Sequence, residues 1–197
     1  MRLIGMGTGK IFFQRGKVFG NRAGHPIFRR MKTTFFSGIA AAILLLSATG
    51  VALADCADPA QEKVNWRRCY FDGSDLKGVD LREAMLRDAT FQRAQLQKAD
   101  LSGADAYRAK FFSAQLGETK FDGARLIEVD FTRANLTGAS LKDVDMRNAK
   151  LVNAILNNAD LTGARMTGAD LRNAELGGAT WIDGTKICAE GSVGRCN

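Results

Sequence analysis

Residues 134–164, ANLTGASLKDVDMRNAKLVNAILNNADLTGA, decide the fold because every fifth residue is large and apolar. The centres of this stretch are Leu136, Leu141, Met146, Leu151, Leu156 and Leu161. Counting outward in steps of five gives an unbroken array over residues 69–183, in which 22 of 23 centres are large and apolar and only Ala106 is small. The residue two before the centre is Ala in 17 of the 23 units. This period fits neither a helix, which repeats at about 3.6, nor a strand, which repeats at about 2.

Five residues with one large and one small inward position describe one side of a square coil. The residue two after the centre is Gly or Asn in 12 of 23 units, which places a turn at each corner. Four sides make a coil of 20 residues, and successive coils stack through parallel backbone hydrogen bonds about 4.8 Å apart. The array lacks proline, which would remove a hydrogen bond from such a ladder. The prediction is an all-β solenoid of about 5.75 coils.

Two runs, Ala99-Asp100-Leu101-Ser102-Gly103 and residues 159–163, match the A(D/N)LXX motif of the pentapeptide-repeat family, which the chain therefore resembles. The resemblance covers about 115 of the 143 residues after Ala54. It implies a right-handed quadrilateral parallel β-helix, and the handedness comes from the family alone. Some members of that family mimic DNA and inhibit topoisomerases, which is the alternative function to be weighed.

Residues 20 apart are predicted to stack. The core column on one face is Phe71, Phe91, Phe111, Phe131, Leu151 and Leu171. On another face Ala106 leaves a void, or Tyr107 turns inward to fill it. The predicted outward columns alternate in charge: Lys110, Asp130, Lys150, Asp170; Asp105, Arg125, Asp145, Arg165; and Asp88, Arg108, Glu128. Such cross-strand pairs stabilise register by a few tenths of a kcal/mol each.

The net charge of +7 belongs to a leader. Residues 1–54 contain eight of the 28 Lys and Arg residues, none of the 21 Asp and Glu residues, and the single histidine, His25. Residues 31–54 have the layout of a signal peptide: a charged start, an apolar run and a small-x-small end at Ala52-Leu53-Ala54. An uncleaved membrane anchor is the alternative, and both place the rest of the chain outside the cytoplasm. Residues 1–30 form a basic leader that is not translated if synthesis begins at Met31.

The four cysteines flank the array. The predicted order after the leader is an N-terminal cap over residues 55–68, the β-helix over 69–183 and a C-terminal disulfide cap over 184–197. Disulfide Cα atoms must lie within about 7 Å, whereas the array is about 28 Å long. The sequence therefore predicts Cys56 paired with Cys69 and Cys188 paired with Cys196, as suits an exported chain. The two loops are expected to cover the ends of the ladder, with Trp66 in the first cover.

The sequence favours an exported, non-enzymatic scaffold in the periplasm or envelope that binds an unknown protein. No catalytic, cofactor or metal residues are predicted, because the chain after the leader has no histidine and its carboxylates lie at outward positions. The candidate interaction patch is Tyr107, Phe112 and Ile127, with a smaller pair, Val152 and Ile155. A DNA mimic needs a strongly acidic surface, whereas the array holds 15 basic and 17 acidic residues. Nucleic acid is not expected as a partner, nor is a membrane except through an uncleaved signal segment.

Overall fold

The computed structural model describes residues 56–197, and its backbone repeats one five-residue unit from Gln61 to Thr180. Each unit contributes a single bridging residue, and each bridging residue pairs in parallel with the one 20 positions later, from Asn65↔Met85 to Asp160↔Thr180. Between residues 56 and 197 there is no helix and no strand longer than one bridging residue. The fold is a parallel β-helix with four sides and 20 residues per coil.

The corners explain why the chain turns every five residues. At a representative corner, the amide N–H of Ala84 donates to the carbonyl of Leu81 at 3.1 Å. The residue between them, Glu83, has a φ of 53°. A positive φ at the third position of a hydrogen-bonded four-residue turn is the pattern of a type II turn. The positive φ recurs at this position in every unit from 61 to 180, and 16 of these corners carry a residue other than glycine.

The core consists of stacked side chains. We name the four faces by their central columns: face 1 contains Phe91, face 2 Leu96, face 3 Leu101 and face 4 Ala106. On face 1 the rings of Phe71, Phe91, Phe111 and Phe131 stack at centroid distances of 5.3, 5.0 and 5.2 Å. Leu151 continues this column fully buried, whereas the two end members, Phe71 and Leu171, are only half-buried.

The ladder begins before residue 69, the first residue of the array that the sequence predicts. Val64 and Trp66 occupy the small and large inward positions of an additional unit, with exposures of 3% and 2%. The indole of Trp66 packs against Phe71 at 4.1 Å between centroids and donates to the carbonyl of Asp58 at 3.1 Å. Trp66 is therefore a core residue of face 4 rather than part of a cover. The regular units from 61 to 180 make six coils.

The C-terminal segment covers only half of the last coil. It turns back, and Ile187 and Val193 form antiparallel bridges to Thr180 and Glu175. The N–H groups of face 2 are satisfied there, because Leu176 donates to the carbonyl of Ser192 at 2.9 Å. On faces 4 and 1 of the same coil, four N–H groups have no hydrogen-bond partner among residues 56–197: Met166, Gly168, Leu171 and Asn173. The predicted cover at this end is thus incomplete.

The basic leader (1–30) and the signal segment (31–54) lie outside the described residues. Among residues 56–197, no helix has the length and apolar character needed to cross a membrane.

Candidate interaction surface

Tyr107 is the centre of the predicted patch, and its ring lies among arginines. The guanidinium carbons of Arg87, Arg108 and Arg125 lie 5.2, 5.5 and 5.1 Å from the ring centroid. The phenol hydroxyl lies 3.3 Å from a carboxylate oxygen of Glu128, to which it donates. A cation over an aromatic face is attracted by the ring quadrupole. Tyr107 is therefore held in place on face 4 while remaining half-exposed.

Acidic neighbours hold these arginines over the ring. Asp105 pairs with Arg87 at 3.6 Å and with Arg125 at 3.4 Å, from the coils on either side. Glu128 pairs with Arg108 at 3.0 Å. Exposed ion pairs contribute little stability individually, but a network fixes the geometry of its members. The surface around Tyr107 is thus preorganised, with cationic groups facing outward.

The side chain of Tyr107 points outward and does not fill the space beside Ala106. Ala106 is fully buried in the face 4 column. Because the ring of Tyr107 is surrounded by surface arginines, the expectation that it turns inward to fill the space beside Ala106 is wrong. Residues one and two after the centre lie at the corner in every unit, so the backbone directs this side chain outward.

The remaining patch residues are separated. Phe112 lies around the corner on face 1 and has the guanidinium of Arg133 5.9 Å from its ring. Ile127 follows Tyr107 one coil later on face 4. Val152 lies at the corner after the face 1 centre Leu151, two coils from Phe112. Ile155 lies beyond that corner on face 2, where it bridges between Asn135 and Glu175. All five are half-buried, so the patch is a set of apolar positions between charged groups rather than one continuous apolar surface.

The alternating charge columns stack as the spacing indicated, but only some form ion pairs. Within the column of Asp105, the pair Arg165–Asp145 lies at 3.6 Å. In the column that begins at Lys110, the backbones of Lys110 and Asp130 form a parallel β-bridge. No ion pair joins their side chains in the described part of the chain, and Asp130 instead accepts the backbone N–H of Thr132 at 2.9 Å.

Two carboxyls that are paired with arginine, those of Asp145 and Asp80, have lowered pKa values. The Arg147 guanidinium, bonded to Asp145 at 2.8 Å, lowers the pKa of that carboxyl. Hydrogen bonds from Arg82 lower the pKa of Asp80 to about 2. A general acid at neutral pH needs a raised pKa, so these groups suit structural ion pairs. Across residues 56–197, no cluster of His, Cys, Asp or Glu is placed to hold a metal ion.

Both cysteine pairs are bonded. Cys56 joins Cys69 with Cα atoms 5.5 Å apart, and Cys188 joins Cys196 with Cα atoms 4.8 Å apart. No described cysteine is free. The first bond ties the N-terminal segment to face 1 of the first coil, at the small inward position before Phe71. The second bond closes the antiparallel segment over the last coil.

Several exposed apolar side chains were missed by the sequence analysis, which considered neither the bridging positions, the last corner of the array nor the residues beyond it for the patch. They are Tyr70 at 81% exposure, Ile187 at 58%, Val193 at 51% and Ile182 at 40%. For Tyr70 the signal was available, since the bridging position four residues after a centre always points outward. A shallow groove of about 670 Å³ lies beside Val193, lined by Leu171, Arg172 and Arg195 among others.

These features define a parallel β-helical solenoid built from five-residue units, with a charged and partly aromatic outer surface. The family model for pentapeptide repeats matches residues 67–103, 109–148 and 139–178, with eight copies. The chain therefore belongs to the pentapeptide-repeat family, whose repeats imply a right-handed β-helix.

Several solved pentapeptide-repeat structures are similar. Rfr23 from the cyanobacterium Cyanothece 51142 is 24% identical, with 59% of this chain and 90% of that chain covered and a TM-score of 0.49. The protein alr5209 from Nostoc Pcc 7120 is 25% identical, with coverages of 46% and 84% and a TM-score of 0.42. QnrB1, a plasmid-mediated fluoroquinolone resistance protein, is 20% identical, with coverages of 66% and 82% and a TM-score of 0.37. No curated protein sequence matches the chain.

Proposed function

We propose that this protein is a non-enzymatic scaffold that works outside the cytoplasm, in the periplasm or envelope, and binds a protein partner. The observation that carries the proposal is that all four cysteines after the leader are paired, one bond at each end of the ladder. Disulfides persist in oxidising compartments and are rare in the cytosol. The signal-peptide layout of residues 31–54 points to the same compartment.

The partner surface is assigned to face 4 around Tyr107. A ring fixed by three guanidinium groups loses little conformational freedom on binding. Tyr and Arg are also the residues most enriched at the energetic centres of protein interfaces. The lowered pKa values of carboxyls such as Asp145 support a binding role over acid–base catalysis. DNA mimicry has little support, because residues 61–180 carry 18 basic and 17 acidic side chains.

The compartment is tested by the intact mass of the protein from fractionated cells, with and without reductant. We expect recovery in the periplasmic or envelope fraction, a mass beginning at Asp55 and a gain of four hydrogens on reduction. Cytoplasmic recovery with the leader attached and free thiols would refute the proposal.

The partner surface is tested by photo-crosslinking in intact cells. A photoreactive residue replaces Tyr107 on face 4 and, as the matched control, Ser102 at the equivalent corner of face 3. Both positions are half-buried and directly follow a core centre. We expect one defined adduct with a protein other than a second copy from position 107, and no such adduct from position 102. Equal adducts of this kind from both positions, or none from either, would contradict the assignment of the surface.

A further inference from the structure

The coils separate charge around the circumference, although the sequence alternates it along the axis. We define the basic half as the outer surface of faces 4 and 1 with the corner that follows each centre, which comprises residues 65–73, 85–93, 105–113, 125–133, 145–153 and 165–173. The acidic half is the remainder of residues 61–180. The basic half holds 12 basic and 7 acidic residues, whereas the acidic half holds 6 basic and 10 acidic residues. Each range of the basic half contains two cations.

The type of cation differs as well. Ten of the 11 arginines between residues 61 and 180 lie in the basic half, and only Arg82 lies in the acidic half. Five of the six cations of the acidic half are lysines. The planar guanidinium binds carboxylates with two parallel hydrogen bonds, which lysine cannot do. Tyr70, Tyr107 and Phe112 also lie in the basic half, so this surface combines the two residue types typical of protein interfaces.

The ion pairs leave this charge separation intact. None of the 13 ion pairs among the described residues joins one half to the other. Six cations in the basic half have no ion-pair partner within the described chain: Arg67, Arg68, Arg93, Lys110, Arg133 and Lys150. The acidic half has one such cation, Lys120. It has four carboxylates without an ion pair in the same part of the chain: Asp100, Asp122, Asp143 and Glu175.

We propose that the basic half of one molecule binds the acidic half of a second copy, so that solenoids associate side by side. The evidence that a second copy binds there is the unpaired charge. The basic half has three more unpaired cations than unpaired carboxylates, and the acidic half has three more unpaired carboxylates than unpaired cations. Opposed surfaces of this kind steer association and set its register. Both surfaces run along the same six coils, about 25–30 Å, so they match in length. The inference concerns assembly and does not depend on export.

The test is sedimentation velocity of the protein produced with its own leader, from about 1 to about 200 µM. It is run in about 20 mM and about 500 mM NaCl, because screening weakens contacts between exposed charges. We expect the average mass to rise with concentration at low salt and to fall to that of a monomer at high salt. A monomer throughout the low-salt series would overturn the proposal. Association unchanged by salt would overturn it as well.

Two charge-reversed variants locate the contact. The first carries Lys110→Glu with Lys150→Glu and lowers the net charge of the basic half from +5 to +1. The second carries Glu118→Lys with Asp143→Lys and raises the net charge of the acidic half from −4 to 0. Both variants are expected to fold. Lys110 and Lys150 are exposed bridging residues, so their replacement disturbs no core contact. Glu118 and Asp143 lie at corners with a positive φ, and lysine already occupies equivalent corners elsewhere in the chain.

Each variant alone is expected to associate at least about tenfold more weakly than the unmodified protein, and the equimolar mixture is expected to associate again. Lys120→Glu is the matched control, since it is an exposed, bridging lysine without an ion pair on the acidic half. It should leave association unchanged or strengthen it. The proposal would be overturned if the mixture failed to associate. It would also be overturned if Lys120→Glu weakened association as much as Lys110→Glu with Lys150→Glu does. Assembly only after addition of heparin or phosphatidylglycerol vesicles would assign the basic half to an anionic polymer or lipid instead.

Discussion

The stacked phenylalanine column gives the sharpest test of what stabilises the fold. The ring of Phe111 is fully buried, lies 5.0 and 5.2 Å from the two rings of its own column and meets Phe121 edge-on at 6.1 Å. Phe111→Ala removes the whole ring and is expected to cost about 4 kcal/mol of unfolding free energy. Phe111→Leu keeps most of the apolar volume but loses three ring pairs, each worth about 0.5–1.5 kcal/mol, so we expect a loss of about 2 kcal/mol.

Urea denaturation of the oxidised protein, followed by two independent probes, measures these losses. Coincident transitions are needed because coils of a solenoid contact only their neighbours and can unfold separately. Phe71→Leu is the matched control, since this ring lies at the end of the same column and is half-buried. It should cost about 1 kcal/mol, less than Phe111→Leu. The reasoning is refuted if Phe111→Leu costs under about 0.5 kcal/mol, the size of a surface substitution. A greater loss from Phe71→Leu would refute it too.

Three further changes test the corners, the ion pairs and the C-terminal bond. Arg93 has a φ of 57° and makes no ion pair among the described residues, so Arg93→Gly removes the backbone strain at this corner without removing an ion pair. The free energy of unfolding, measured by urea denaturation, should rise by about 0.5–1 kcal/mol. The pKa of Asp80 is lowered from its usual 3.8 to about 2 by Arg82, so its contribution to stability is present above about pH 4 and lost as the pH falls toward 2. Arg82→Gln should flatten the fall in melting temperature over that interval. Replacing Cys188 and Cys196 with Ser should cost about 2.5 kcal/mol, from the eight-residue separation of that bond.

Each of these changes has its own control. Gly123→Ala introduces a side chain at a φ of 66°, where nothing lies within 4 Å of the new Cβ, so backbone strain alone should destabilise the protein by about 1 kcal/mol. If Arg93→Gly also destabilised, positive φ would not be the source of strain. An unchanged pH dependence in Arg82→Gln would remove that arginine as the cause. If the double serine variant were as stable as the oxidised protein in urea, the C-terminal bond would have no stabilising role.

The five-residue period predicted most of the fold. Inward and outward positions, the 20-residue stacking and the corners follow from the spacing, because a strictly repeating chain has the same local energetics in every unit. The pattern of Gly and Asn identified only part of the corners, since residues such as Arg93 adopt the same φ where the ladder on both sides imposes it. The start of the ladder was misplaced because Gln61 is not apolar, although Val64 and Trp66 fit the small and large inward positions of the next unit.

The candidate site was predictable residue by residue but not as a surface. The repeat placed Tyr107 next to the core, and only the fold brought Arg87, Arg108 and Arg125 around its ring. These arginines come from three successive coils, and their reach depends on side-chain rotamers that sequence spacing does not specify. The half-covered C-terminal end is also a tertiary result, because the direction in which residues 184–197 turn back depends on which N–H groups remain unpaired.

The sequence by itself determined the solenoid, its coil length, its inward columns and the cysteines that lie at each end, because all of these depend on counting along a regular chain. The division into a basic and an acidic half also follows from the sequence once the 20-residue coil is known. Tertiary structure alone decided which charges meet and which stay unpaired. The physical reason is that the coil length places each charge on a side of the solenoid, whereas contact between two side chains depends on rotamers that the spacing does not specify.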